Sequence, residues 1–122
     1  MENEKRTGAI IGCAMRVHST LGPGFFESVY ENALLIELRE AGLAAASQVP
    51  LKVRYRGEIV GDYVADIVVE DAMVCELKAT RQLVEIHEIQ LVNNLNATGT
   101  RLGLLINFGG RRLEFKRKVD RL

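Results

Sequence analysis

Cysteine occurs only twice, at Cys13 and Cys75, and neither has a CxxC partner or a nearby His/Cys cluster. That spacing excludes a zinc site or redox pair, and both residues read as small buried hydrophobes. Net charge is also missing, because 16 basic residues cancel 16 acidic ones. Nucleic-acid binding normally runs on phosphate neutralisation and counterion release, so a neutral chain counts against a strong polyanion binder. No segment approaches the ~20 apolar residues of a membrane span. The charged start Met1-Glu2-Asn3-Glu4-Lys5-Arg6 is not followed by the apolar run of a signal peptide. The expectation is a cytoplasmic protein with no membrane partner. Repeats, low-complexity tracts and Pro/Ser linkers are absent as well, so residues 1–122 are read as one domain. A domain of that size buries roughly two-thirds of its unfolded surface and needs no disulfide or metal staple.

Charge is uneven all the same. The last dozen residues, from Arg111 to Leu122, hold six of the 16 basic residues against two acids. They read as a solvated edge strand whose Lys and Arg block aggregation, or as a phosphate-contacting surface.

Ile10, Ile11, Ala14, Met15, Val17 and His18 recur at helical spacing from about residue 5 to Leu21. Leu21-Gly22-Pro23-Gly24 breaks the helix, and a second runs from about Phe26 to Ala41, with Val29, Ala33, Ile36 and Leu38 among its buried positions. Gly42 stands where a C′ glycine stops it. The period then falls to two. Val49, Leu51, Val53 and Tyr55 alternate with polar residues in a half-buried strand, and Arg56-Gly57-Glu58 turns it. Strands follow over Ile59–Val69 and Met73–Lys78, then a helix over Val84–Thr98 closed by Gly99. Leu102–Phe108 is nearly all apolar, as in a strand covered on both faces, and a last strand spans Arg112–Arg117. The order ααβββαββ predicts an α/β domain with a mixed central sheet flanked by helices.

The carboxylates of interest lie inside strands. Asp66 sits in Val64-Ala65-Asp66-Ile67-Val68-Val69, where a charge is costly unless paired or bound to a metal. Glu76 and Lys78 share one face of their strand, with Cys75 and Leu77 on the other. Asp66 joins them only if the hairpin register has the right parity. A three-residue connection, Glu70-Asp71-Ala72, pairs Val69 with Met73 and sets Asp66 opposite Glu76; a two-residue connection separates the carboxylates. Oxygen ligands from two carboxylates, with a backbone carbonyl and water, suit Mg²⁺ or Mn²⁺. The competing reading is a structural ion pair of Lys78 with Glu76 or Asp66.

Asp66, nine residues, Glu76-Leu77-Lys78 and then a helix bearing Gln90 resemble the PD-(D/E)XK nuclease superfamily. Its restriction-endonuclease-like core has the same helix, three-stranded meander, helix and strand. Gly24-Phe25-Phe26-Glu27-Ser28-Val29-Tyr30 resembles the signature of the GxxExxY proteins, a family of small proteins within that superfamily. His18–Gly24 before it and Val49-Pro50-Leu51 after it fit the same family, and the resemblance covers nearly the whole chain. It implies that Asp66 and Glu76 hold a divalent metal, Mg²⁺ or Mn²⁺, with the Leu77 carbonyl as a third ligand. Lys78 would position the attacking water and stabilise the transition state. Glu27 resembles the extra acid that many such nucleases place beside the metal, and Gln90 the helix glutamine of exonuclease-like branches. Asn94 stands where those branches carry a tyrosine.

The other polar residues have structural readings beside these. Glu27 also suits a helix N-terminus on dipole grounds. Tyr30 reads as a packed ring with a satisfied hydroxyl, His18 as structural, and His87 as solvent-facing. The leading expectation is a nuclease acting on DNA or RNA. The alternative is a catalytically silent nuclease-fold module for binding or assembly, and a third option is an enzyme for another phosphorylated substrate. So small a core has little surface to grip a duplex, which points to a homodimer or a protein partner.

Overall fold

The computed structural model describes residues 2–100 and 102–119. Helices α1 (Glu2–Leu21) and α2 (Glu27–Glu40) precede a meander of β1 (Ala45–Tyr55), β2 (Glu58–Val69) and β3 (Met73–Lys78). Helix α3 (Glu85–Thr98), β4 (Leu102–Asn107) and β5 (Glu114–Val119) complete the order ααβββαββ. The five strands form one mixed sheet in chain order, parallel between β3 and β4 and antiparallel elsewhere. Arg101 and residues 120–122, part of the basic C-terminal stretch, lie outside the described residues.

Two apolar layers cover the sheet. On one side Ile10, Cys13 and Val17 of α1 and Tyr30, Leu34 and Leu38 of α2 pack on Ile67, Val69, Cys75, Leu77, Leu104 and Ile106. On the other, Leu91 and Leu95 of α3 meet Ala65, Val74 and Leu105. β4 is covered from both sides, which explains its nearly continuous apolar run. The apolar stripe of α2 is Tyr30, Leu34, Leu35 and Leu38, so Ile36 is exposed, contrary to expectation. Met15 also faces outward on α1, and Tyr55 is exposed at the end of β1, beyond the reach of either layer. Helix α2 stops as Gly42 adopts φ +82, and the Gly42 and Leu43 N–H groups return to the Arg39 and Leu38 carbonyls at 3.0 Å each.

β1 and β2 do not lie flat. Ile67 and Val69 belong to the α1/α2 layer, whereas Tyr63 and Ala65, of the same parity, pack on the α3 side. β1 behaves likewise, with Ala45 packed in one layer and Leu51 in the other. Both strands therefore rotate about Asp66. The pairing runs Ser47↔Ile67 then Val49↔Ala65, and the residue between, Gln48, takes a left-handed φ of 52. That conformation costs a non-glycine residue roughly 1–2 kcal/mol. The outer half of the hairpin thus leaves β3 and curls toward α3, opening a gap at Asp66.

Candidate metal centre

The β2–β3 connection meets the geometric demand posed by the sequence. Val69 pairs with Met73, Val68 with Val74 and Ile67 with Cys75, so the next step sets Asp66 across from Glu76. The ladder ends there because β2 rotates away. Side chains bridge the gap instead: Asp66 Oδ2 accepts the Leu77 N–H at 2.8 Å, and Glu76 Oε1 accepts the Asp66 N–H at 3.3 Å. A residue in a strand points its N–H and C=O to the same side, so the Leu77 carbonyl is also directed at this gap.

Glu76 is the most perturbed carboxylate. Burial pushes its pKa from 4.5 up to about 7, reinforced by the Asp66 charge and opposed by hydrogen bonds from Tyr63 and Asp66 N and by Lys78. The Tyr63 hydroxyl donates to Glu76 Oε1 at 2.5 Å, and burial followed by that carboxylate drives the tyrosine pKa upward. Asp66 Oδ1 and Glu76 Oε2 accept no hydrogen bond among the described residues.

Helix α2 contributes Glu31. Its carboxylate receives the Gln48 amide at 2.9 and 3.2 Å, and its pKa is raised by partial burial, then by Asp66, with Glu27 adding to the effect. Glu27 itself is exposed in the first turn of α2. Lys78 is half-buried on the Glu76 face, yet makes no hydrogen bond or ion pair among the described residues, so the structural ion pair is not formed. With Gln90, His87, Leu91, Asn94 and Leu105, Glu76 and Lys78 line a cleft of about 40 Å³. That holds about three waters and is far below the hundreds of Å³ of a small-molecule pocket. A larger recess of about 700 Å³, lined by Asn3, Asp71 and Gly99 among others, lies at the opposite end of β3, away from this chemistry.

The donors fit a divalent cation in kind: hard carboxylate oxygens with free lone pairs, one of them on a buried group that resists ionising without a counter-charge. Among the described residues, no three His, Cys, Asp or Glu side chains form a ready cage, so backbone and water would have to complete the shell.

The structure thus gathers Asp66, Glu76, Leu77, Lys78 and Gln90, and leaves Glu27 at the periphery with Glu31 one turn closer in. His87 is half-buried at the cleft rather than solvent-facing, its Nδ1 receiving the Val84 N–H at 3.4 Å. His18 is structural, with Nε2 2.9 Å from the Gly110 carbonyl. Tyr30 is buried, stacked on Phe108 at 4.8 Å, and its hydroxyl donates to the Gly22 carbonyl at 2.5 Å.

Three neighbours escaped sequence reasoning. Tyr63 is out of phase with Asp66 by strict alternation, and only the strand rotation brings them together. Gln48 is hidden by a register shift between Val53 and Arg54. Glu31 was within reach, since it shares the Glu27 face by i, i+4 spacing.

A five-stranded mixed sheet flanked by helices in the order ααβββαββ is a restriction-endonuclease-like fold. The family model described as PD-(D/E)XK nuclease superfamily matches residues 4–120. The chain belongs to that superfamily, whose nucleases generally use divalent metals. Among solved structures, "Crystal structure of SSO0001" matches with a TM-score of 0.60 and 19% identity, over 78% of this chain and 50% of that one. At that identity the likeness concerns the fold, and this chain spans about half the length of that protein. No curated protein matches.

Proposed function

We propose that this chain is a metal-dependent nuclease that hydrolyses phosphodiester bonds in DNA or RNA. The observation that carries the reading is the pairing of Asp66 with Glu76 across the parted strands, with Lys78 on the same face and unpaired. Asp66, Glu76 and the Leu77 carbonyl would hold Mg²⁺ or Mn²⁺. The bound metal supplies Lewis-acid stabilisation and a more acidic water. Lys78, free of any ion pair among the described residues, would orient an attacking water in the cleft and offset charge developing on the phosphoryl oxygens. Gln90 lines the same cleft and would contact the water or a non-bridging oxygen. The extra acid is Glu31 in preference to Glu27, because Glu31 is oriented by Gln48 and feels the Asp66 charge. A cleft of about 40 Å³ suits a polymer lying across its mouth better than an enclosed metabolite.

The finer assignment is a GxxExxY protein, on the Gly24–Tyr30 segment, forming one nuclease-like domain over residues 1–122 and working in the cytoplasm as a homodimer or with a protein partner. A silent binding or assembly module is the second reading, favoured by the lack of a three-side-chain cage among the described residues. The test is cleavage of mixed DNA and RNA substrates with Mg²⁺ or Mn²⁺. Activity that disappears in both Asp66→Ala and Lys78→Ala supports the nuclease. Inert wild-type protein that still shows Asp66-dependent metal binding transfers the case to the module.

A further inference from the structure

Among the described residues, Tyr63 is the only side chain that donates a hydrogen bond to the Asp66 or Glu76 carboxylate. Its ring is packed in the α3-side layer, opposite Leu51 in the β1–β2 pairing, so the hydroxyl is carried on a fixed support. It donates to Glu76 Oε1, the same oxygen that accepts the Asp66 N–H, and Oε2 is left without a partner. Strict alternation would turn this ring away from Asp66; the rotation of β2 at that residue swings it to the carboxylate.

We propose that Tyr63 is a positioning residue that pins Glu76 Oε1 and so presents Oε2 to a divalent cation shared with Asp66. This rests on the metal-centre reading above. A carboxylate free to rotate presents either oxygen in many orientations and loses side-chain entropy when the metal binds. Anchored at one oxygen, Glu76 has already lost that freedom in the folded protein. Partners that orient a ligand in this way are typically worth about 10–100-fold in metal affinity or activity. A purely structural hydroxyl would instead matter to folding and leave affinity unchanged.

Tyr63→Phe keeps the ring and removes the donor. The full chain, its Tyr63→Phe variant, Glu76→Gln, and Tyr55→Phe as an exposed-tyrosine control are titrated with Mn²⁺ by calorimetry, with circular dichroism melts alongside. The expected result is a roughly 10–100-fold loss of Mn²⁺ affinity in Tyr63→Phe, near wild-type affinity in Tyr55→Phe, and unchanged spectra. In cleavage, Tyr63→Phe should need a correspondingly higher Mn²⁺ concentration and approach the wild-type rate at saturation. Equal Mn²⁺ affinity in wild type and Tyr63→Phe overturns the positioning role, as does a lowered saturated rate with unchanged affinity. Wild type that binds Mn²⁺ no better than Glu76→Gln removes the metal centre itself, which is a separate failure.

Discussion

The end of β3 is flanked by two polar clusters built on opposite principles. Toward β4 and β5, the fully buried Asn107 has every group satisfied. Its Oδ1 accepts the Thr80 N–H at 2.9 Å and the Gly109 N–H at 3.1 Å, and its Nδ2 donates to the Thr80 carbonyl at 3.0 Å and Glu114 Oε1 at 2.8 Å. Glu114 also accepts the Leu83 N–H at 3.0 Å. Gly109 lets the loops close, since a Cβ there would sit 2.2 Å from the Thr80 oxygen. The cluster fixes the chain that follows Lys78. Toward β2, by contrast, Asp66, Glu76 and Glu31 are gathered with neutral donors, a lysine out of ion-pair reach, and two carboxylate oxygens left over. One cluster is closed and charge-economical. The other is open and over-supplied with negative charge, at a cost the fold tolerates in this place. Complete satisfaction suits a structural role, and the oxygens left over in the open cluster are the ones the proposed cation would take.

Substitutions should separate the two clusters. Lys78→Ala and Asp66→Ala should each lower single-turnover cleavage by at least ~10²–10³-fold, the scale of losing one electrostatic partner of a transition state. Lys78→Ala should shift urea-unfolding free energy by less than about 1 kcal/mol, because no bond is broken. Asn107→Ala should do the reverse. By stranding Thr80 and Gly109 donors it should cost about 2–4 kcal/mol in urea unfolding, while Mn²⁺ affinity measured well below the transition stays within a few-fold of wild type.

A pH series sharpens the contrast further. The folded-state pKa of Glu76, about 7, lies above the 4.5 of the ordinary group, so the folded chain binds more protons between those values. Its contribution to stability is full below pH 4.5 and is lost as pH rises through about 7. Metal-free wild type should therefore lose stability over that window relative to Glu76→Gln, and Mn²⁺ affinity should climb over the same window as the competing proton leaves. The smallest effect concerns the acids of α2. Glu31→Gln should weaken Mn²⁺ binding several-fold and Glu27→Gln hardly at all, both read by calorimetry; the opposite ranking would return the extra acid to Glu27.

Much of this was legible in residue order. The element order, the Gly42 and Gly99 helix ends, the covered β4 and the parity of Asp66 with Glu76 all follow from local periodicity and a three-residue connection. These are effects of short range along the chain. The rotation of β1 and β2 is a different matter, since it coincides with a left-handed Gln48 whose place opposite Asp66 is set by a register shift at Val53/Arg54, and neither has a local signature. Tyr63 and Gln48 were invisible for that reason. Ile36 turns outward against expectation because apolar type alone does not say which helix stripe the sheet will cover. The Asn107 cluster joins segments up to 31 residues apart, as in the Leu83–Glu114 bond, through a loop that residue spacing does not specify.

The most direct test of a cation at the open cluster is a crystal of the protein grown with Mn²⁺ and measured at the manganese absorption edge. One strong anomalous peak is expected, bounded by the Asp66 carboxylate, Glu76 Oε2 and the Leu77 carbonyl, with none at Asn107 and Glu114. No peak at Asp66 and Glu76 in a crystal that binds Mn²⁺ elsewhere, or a Lys78 ammonium in its place bridging the two carboxylates, would contradict it.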